Sequence, residues 1–351
     1  LAPRYEVDVV GPQFSDAVWR PVAESPIPHR GARGGRYPRF AGMIPELVRL
    51  VDGDIIYASK PRPTSFGLGL LARARRRRPL ILDIDDWELG FFYRSGAWGR
   101  VGRALNLGNP NGLTWSWLAE RLVPAADGLT VASRFLQQRF GGAFLPHVRD
   151  TDAWDPARHD RAAGRQALGA GDRRVVMFLG TPREYKGIDD LVEAVGLLDA
   201  SVVLALVGVD ATSGWGARYG GPRRVRIVGE IPFDDVPRFL AAADVVAVPQ
   251  RATTDTVGQV PAKLVDAMAM ARPIVATSVS MIPEMLDDCG VVVPPGDPPA
   301  LAKAIGELLA DPARAETLGQ RARRRCIERY SFASARATLF PLIEGLTSRS
   351  S

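Results

Sequence analysis

Between residues 7 and 293 one pattern recurs: a short run of valine, isoleucine and leucine, a polar turn, then a stretch with helical spacing of its apolar residues. The two spacings are not interchangeable, because side chains repeat every second residue along a strand and every 3.6 along a helix. Runs that are apolar throughout must be covered on both faces, which is the condition of a strand in a parallel sheet flanked by helices. The pattern therefore predicts α/β architecture built from βαβ units.

In the first half the predicted strands are 7–10, 54–58, 80–82, 129–132 and 143–145, with helices at 65–77, 113–125 and 133–140. Residues 150–172 break the rhythm with Asp155-Pro156 and a charged stretch that buries little. A second series follows, with strands at 174–179, 202–207, 225–228, 245–248, 274–277 and 291–293 and helices at 188–198, 237–242, 261–271 and 298–309. Helical patterns at 313–329 and 332–345 have no strand after them. A chain of 351 residues exceeds what one hydrophobic core usually holds. The expected organisation is a Rossmann-like domain over 1–150, a linker over 151–172 and a second Rossmann-like domain over 173–329. The final segment, 330–351, is expected to pack back on the first domain. Two doubly wound domains of this kind would face each other across a cleft at the carboxyl ends of their strands. The sequence starts at Leu1 with YEVDVV close behind, a strand pattern with no element before it, so the first domain reads as truncated at its first strand.

Composition narrows the class. With 46% hydrophobic and 24% charged residues the chain is neither disordered nor fibrous. The formal charge is +6, and part of the excess lies in the run of Arg73, Arg75, Arg76, Arg77 and Arg78. That run suits either a solvated helix end or an anionic membrane surface, and nucleic acid is not the expected partner. Cys289 and Cys326 have no metal-type spacing and read as free thiols of a reducing compartment. No apolar run approaches membrane-spanning length. The expected location is cytoplasmic, with peripheral attachment at the inner face of the membrane as the open variant.

The segment 258–277, GQVPAKLVDAMAMARPIVAT, places a lysine and an aspartate in a helix start that is otherwise small and apolar. Pro261 suits the first helical position, where an N–H would be unpaired in any case. Free amides there, with Gly258, Gln259 and Val260 in the preceding turn, make an anion site to which Lys263 adds a full charge. Asp266 stands nearly one turn after Lys263 and would accept hydrogen bonds from ribose hydroxyls. The plain alternative is an ordinary helix start with a surface ion pair.

The stretch 245–277, with Ile282-Pro283-Glu284 and Val293-Pro294-Pro295-Gly296-Asp297, resembles the donor-binding domain of family-4 glycosyltransferases. In that family a strand leads to a helix with a Glu-Ala-Met-Ala-like signature, here Asp266-Ala267-Met268-Ala269, and the branch implied is the one with a Pro-x-Lys start to the donor helix. The resemblance implies the GT-B fold and transfer with retention of anomeric configuration. It also implies that the loop from Gly180 to Gly187, GTPREYKG, grips the donor diphosphate through Lys186, with Arg183 nearer that lysine than the family's arginine usually is. The family often carries a glutamate where Gly258 stands here, and Asp255 in the same loop is the candidate substitute.

Asp85, Asp86 and Glu88 follow a predicted strand of the first domain and would project from its carboxyl edge. Contact with the transferred sugar or the acceptor, a solvated loop and a Mg²⁺ site are the competing readings, and no metal is the expectation. His147 stands where the resemblance implies an asparagine at the crossing between domains; it reads either as a substrate contact or as a structural histidine. The aromatic and basic segment Phe91-Phe92-Tyr93-Arg94, with Trp98, Arg100, Arg103, Trp115 and Trp117, suits a membrane interface, internal packing or a mobile lid.

The function so implied is transfer of a sugar from a nucleoside diphosphate sugar, of UDP or GDP type, to a glycan, lipid-linked or small-molecule acceptor, with no further cofactor. The rivals are a nucleotide-sugar epimerase or hydrolase on the same scaffold and a non-catalytic nucleotide-sugar-binding subunit.

Overall fold

The structure is a computed structural model, and it describes residues 1, 4–15, 25–93, 97–220 and 224–348. Its contacts divide the chain into two compact units, one of residues 1–146 with 336–351 and one of residues 147–335.

In the first unit β3 (Ile56–Ser59), β4 (Leu80–Ile84), β5 (Gly128–Val131) and β6 (Ala143–Phe144) form a parallel sheet in sequence order, and β1 (Val9–Gln13) pairs in parallel with β2 (His29–Arg33). Leu80, Leu82 and Ile84 are fully buried on one face of β4, packed with Phe66, Val131 and Leu136. Alternation sends Ile81 to the opposite face, where Ile343 and Leu346 of the last helix, Phe332–Thr347, cover it. Tyr5 stacks edge-on against Phe340 of that helix, and Arg4 pairs with Glu344 at 2.7 Å. A strand with both faces covered must be apolar at every position, and β4 is so up to Asp83.

The second unit holds a six-stranded parallel sheet in the order β12-β11-β10-β7-β8-β9. Its strands are β7 (Arg174–Leu179), β8 (Val202–Val207), β9 (Val225–Val228), β10 (Val245–Val248), β11 (Ile274–Thr277) and β12 (Val291–Val293), the six segments the periodicity predicts. The chain runs outward from β7 to β9, returns to place β10 on the other side of β7 (Val176 opposite Val245), and runs outward again. Phe178, Leu204, Leu206 and Ala247 pack with Leu191, Ile305 and Leu308 from the covering helices. Helix starts are capped as their residues dictate: Asp297 Oδ1 accepts from the Ala300 amide at 2.9 Å, and Asp311 Oδ1 from that of Arg314 at 2.9 Å.

Several elements lie outside the expected ones, the short helices Ala97–Leu105, Arg161–Ala167, Gly214–Tyr219 and Ile282–Leu286 among them, and two others run against their sequence. His29–Arg33, with three basic residues and no branched apolar one, becomes a strand through its ladder with β1. Arg39–Leu50 is a helix despite Pro45, with Phe40 and Leu47 buried. Leu82→Ala empties a fully buried site of the first unit. It should lower that unit's unfolding free energy by about 2–5 kcal/mol, read from denaturant titration.

Candidate functional site

The strand order of the second sheet reverses between β7 and β10, and the loops that leave the carboxyl ends of these two neighbours are 180–187 and 249–261. Such a reversal opens a crevice in which α/β sheets bind ligands. Two contacts hold the loops together. The Arg251 amide donates to Tyr185 O at 2.7 Å. The Arg251 guanidinium also forms a two-point pair with buried Asp190, at 2.8 and 2.5 Å. Gly187 turns between them at φ +67°, and a Cβ there would lie 1.8 Å from Pro249 O, so only glycine satisfies both the backbone and the space.

Lys186 and Lys263 meet at this junction. A Cβ built on Gly180, itself at φ +118°, would lie 3.8 Å from Lys263 Nζ and 3.9 Å from Lys186 Nζ. Lys263 Nζ sits 4.0 Å above the ring of Phe178, the last but one residue of β7. Lys186 Nζ donates to Thr181 O at 2.7 Å. Among the described residues neither ammonium has a carboxylate within ion-pair distance. Burial, reinforced by Arg183, lowers Lys186 to about 8. Burial, then the charge of Lys186, lowers Lys263 further below its ordinary range. Two like charges held close together without counter-ions amount to a site for an anion of charge two or more. Arg183 is exposed, and among the described residues its guanidinium has one hydrogen-bond contact, at 3.5 Å to Pro182 O.

On the other loop, Pro261 is the cap and the helix Ala262–Ala269 begins one residue later than the sequence suggests. Gly258 and Val260 are buried, and the Gln259 amide donates to Thr256 O at 3.1 Å. Asp255 is buried and accepts from Thr253 Oγ1 at 2.5 Å within its own loop. Asp266 is buried, and its Oδ1 accepts from Arg149 Nε at 2.5 Å. Burial pushes this carboxyl up, while Arg149 and then Lys263 pull it down. Arg149, whose guanidinium lies 5.5 Å from the ring centroids of both Trp154 and Phe233, is a partner that the sequence reading missed. The basic residue in the His147-Val148-Arg149 crossing was the available signal.

In the first unit Asp85, Asp86 and Glu88 gather on Lys60 Nζ at 2.9, 3.1 and 3.3 Å, and Arg62 also pairs with Glu88. Lys60, at φ +70°, is anchored through its amide to Asp83 O at 2.8 Å. Although burial opposes it, the charge of Asp85, Asp86 and Glu88 holds Lys60 above its ordinary value. Below them Asp83 accepts from Thr130, and burial raises it to about 6. Lys60 and Arg62 were also missed; they stand just past β3, the strand beside β4, where a basic partner for the acids belongs. Among the described residues no group of three or more His, Cys, Asp and Glu is arranged to hold a metal ion. His147 is half-buried at the start of the second unit.

Of the arginine run, Arg73 donates to Ala125 O and Asp127, and Arg78 to Gly53 O. Arg76 lies 3.9 Å from Asp54, while Arg75 and Arg77 have no ion pair among the described residues. Arg73, Arg77 and Arg78 line a cavity of about 790 Å³ with Leu70, Asp127 and Leu346. Arg94 lies outside the described residues. No helix among the described residues is long and apolar enough to cross a membrane. Both cysteines are free and buried, pushed up by burial to about 11 for Cys289 and about 12 for Cys326.

Residues 173–311, which contain both lysines, match the family of glycosyl transferases group 1. The structure of Anabaena HepE in complex with UDP and glucose superposes with a TM-score of 0.73 at 21% identity, over 95% of this chain and 91% of that one. Sucrose-phosphate synthase from Thermosynechococcus elongatus superposes at 0.72 and 22%, over 97% and 88%. The fold is GT-B. The chain is also 29% identical to a GDP-mannose-dependent alpha-(1-6)-phosphatidylinositol monomannoside mannosyltransferase of Mycolicibacterium smegmatis, over 88% of this chain and 81% of the relative. Alpha-D-kanosaminyltransferase of Streptomyces kanamyceticus is 31% identical over 55% of this chain and half of its own length. This GT-B chain is thus related to the group 1 glycosyltransferases, and its paired lysines lie within the matched region.

The lowered Lys186 has a consequence for stability. Its folded value of about 8 lies below the ordinary 10.5. Between those values the unfolded chain holds the extra proton, so stability rises with pH there, and the full cost of the buried charge is present below about 8. Lys186→Met should therefore raise the unfolding free energy at pH 7 by about 1–3 kcal/mol. Urea titrations at pH 7 and pH 10.5 should show that gain shrinking toward zero at the higher pH.

Proposed function

We propose that the protein is a retaining glycosyltransferase that takes a sugar from a nucleoside diphosphate sugar, UDP or GDP in type, and passes it to a glycan, lipid-linked or small-molecule acceptor. The observation that carries the reading is the convergence of Lys186 and Lys263 on Gly180, with no ion-paired carboxylate among the described residues, at the strand-order reversal of the second sheet. As the glycosidic bond to the donor breaks, negative charge develops on the diphosphate oxygens. Ammonium groups already held in place stabilise that charge without reorganising at the moment of reaction. The lowered lysines support this role, because binding a diphosphate restores their charge and the binding energy grows as the bond cleaves.

In this reading Lys186 and Lys263 grip the diphosphate, with exposed Arg183 closing over it. Amides around Gly258, Gln259 and Val260 bind phosphate or sugar, and Asp266, steadied by Arg149, takes the ribose. Asp255 stands in for the missing glutamate at Gly258. Asp85, Asp86, Glu88 and His147 contact the transferred sugar or the acceptor. The arginine run from Arg73 to Arg78 meets an anionic membrane surface, with the protein at the cytoplasmic face. The relative from Mycolicibacterium smegmatis, described as acting on a phosphatidylinositol monomannoside, supports a lipid-linked acceptor and a GDP donor, and the HepE complexes support UDP.

Lys186→Ala and Lys263→Ala should each weaken nucleoside diphosphate binding by about 1.5–3 kcal/mol, the range of charge-assisted hydrogen bonds, when measured by isothermal titration. Unchanged affinity in both variants would defeat the assignment. Wild-type affinity should also fall as pH rises above about 8, by at most tenfold per unit for one lysine, because the free protein then loses the proton that the diphosphate requires. Thermal melts with UDP and GDP in parallel should identify the base. A ligand at a hundred times its Kd adds about 2.7 kcal/mol, and the wrong base adds little.

A further inference from the structure

The helix Ala97–Leu105 presents an apolar stripe to solvent. Trp98 is 88% exposed, Val101 50% and Leu105 75%, and Leu107 just beyond is 51% exposed. Spacings of three and four residues put Trp98, Val101 and Leu105 on one face, and Arg100 and Arg103 on the other. Both arginines are exposed and make no ion pair among the described residues. From residue 89 to residue 119 the sequence contains no Asp or Glu, so nothing in the segment offsets these cations. In the next helix, Leu113–Arg121, Trp117 is 45% exposed and carries Arg121 at 4.7 Å from its ring centroid.

We propose that Ala97–Leu105 is an interfacial helix that lies in the headgroup plane of an anionic bilayer, with Trp98, Val101 and Leu105 inserted and Arg100 and Arg103 on the lipid phosphates. An apolar stripe backed by arginines is the composition of a helix that binds in the interface plane. Tryptophan suits that depth because its ring is apolar and its N–H finds water or a headgroup, and arginine stems extend along the boundary to keep the charge wet. A protein partner fits less well. A stripe of three or four side chains falls short of the roughly 800 Å² per partner that a stable protein interface buries. The unopposed charge calls for an acidic surface, which a leaflet rich in anionic lipid supplies over any area. The helix belongs to the first unit and the paired lysines to the second, so the inference does not depend on the donor reading.

The test is co-sedimentation of the full chain with vesicles of phosphatidylcholine, alone or with about one-third phosphatidylglycerol. The wild-type protein should partition onto the anionic vesicles and much less onto the neutral ones. The double variant Trp98→Ser/Leu105→Ser should lose about tenfold or more of that partitioning. Arg100→Gln/Arg103→Gln should weaken the preference for anionic lipid several-fold, leaving the part that the run from Arg73 to Arg78 contributes. Because these side chains are exposed, both variants should melt at the wild-type temperature. Equal partitioning of wild type and Trp98→Ser/Leu105→Ser would overturn the proposal, as would failure of the wild type to bind anionic vesicles. So would light scattering that shows a wild-type dimer dissolved by the same double substitution, because the stripe would then be a contact between copies of the chain.

Discussion

The parallel pairing of β7 with β10 is the constraint from which the rest of the second unit follows. These strands are adjacent in space but distant in sequence, and the chain departs from them in opposite directions across the sheet. Their outgoing loops therefore have no covering helix between them and must satisfy each other. The Arg251–Asp190 pair, the Tyr185 carbonyl and the tight turn at Gly187 do so. With both loops fixed, Lys186 at the end of one and Lys263 just past the end of the other have little freedom except to approach Gly180. Topology brings the two lysines together, and the Phe178 ring under Lys263 and the Thr181 carbonyl at Lys186 hold their ammonium groups there.

That arrangement costs stability. Burial lowers both lysines, with Arg183 adding to the effect on Lys186 and Lys186 to that on Lys263, so the folded protein holds charge that it would be more stable without. A structural explanation would require a carboxylate nearby to neutralise the pair, and the carboxylate on the same helix, Asp266, is engaged by Arg149 instead. Local destabilisation that the surrounding packing maintains is the usual mark of a site built for a ligand.

Much of the fold was legible because its signals are local. The central strands of the second sheet, β7, β8, β10 and β11, are almost wholly buried, and runs covered on both faces are apolar at nearly every position regardless of tertiary detail. His29–Arg33 was not legible, because a basic strand without branched apolar residues takes its conformation from its partner. At the site, Lys186 and Lys263 were visible as cations next to helix starts, but the partners of the acids were not. Arg149 lies 117 positions before Asp266, and Lys60 reaches Asp85, Asp86 and Glu88 from a neighbouring strand. Charge pairing across a sheet depends on strand order, and one sequence without its relatives carries little information about strand order.

The two lysine clusters show why compensation, more than burial, separates the readings. Lys60 and Lys186 both follow a β-strand of a parallel sheet, and both lose solvent. Lys60 is met by three carboxylates and held above its ordinary value, whereas Lys186 has one carbonyl and two cationic neighbours and falls below it. The same residue type in similar backbone settings thus shifts in opposite directions. In the first unit the three carboxylates are largely offset by Lys60 and Arg62, and a ligand there would meet acceptors already paired in part, which favours recognition of hydroxyl groups by hydrogen bonds over capture of an anion. In the second unit the balance is left to an anion from outside.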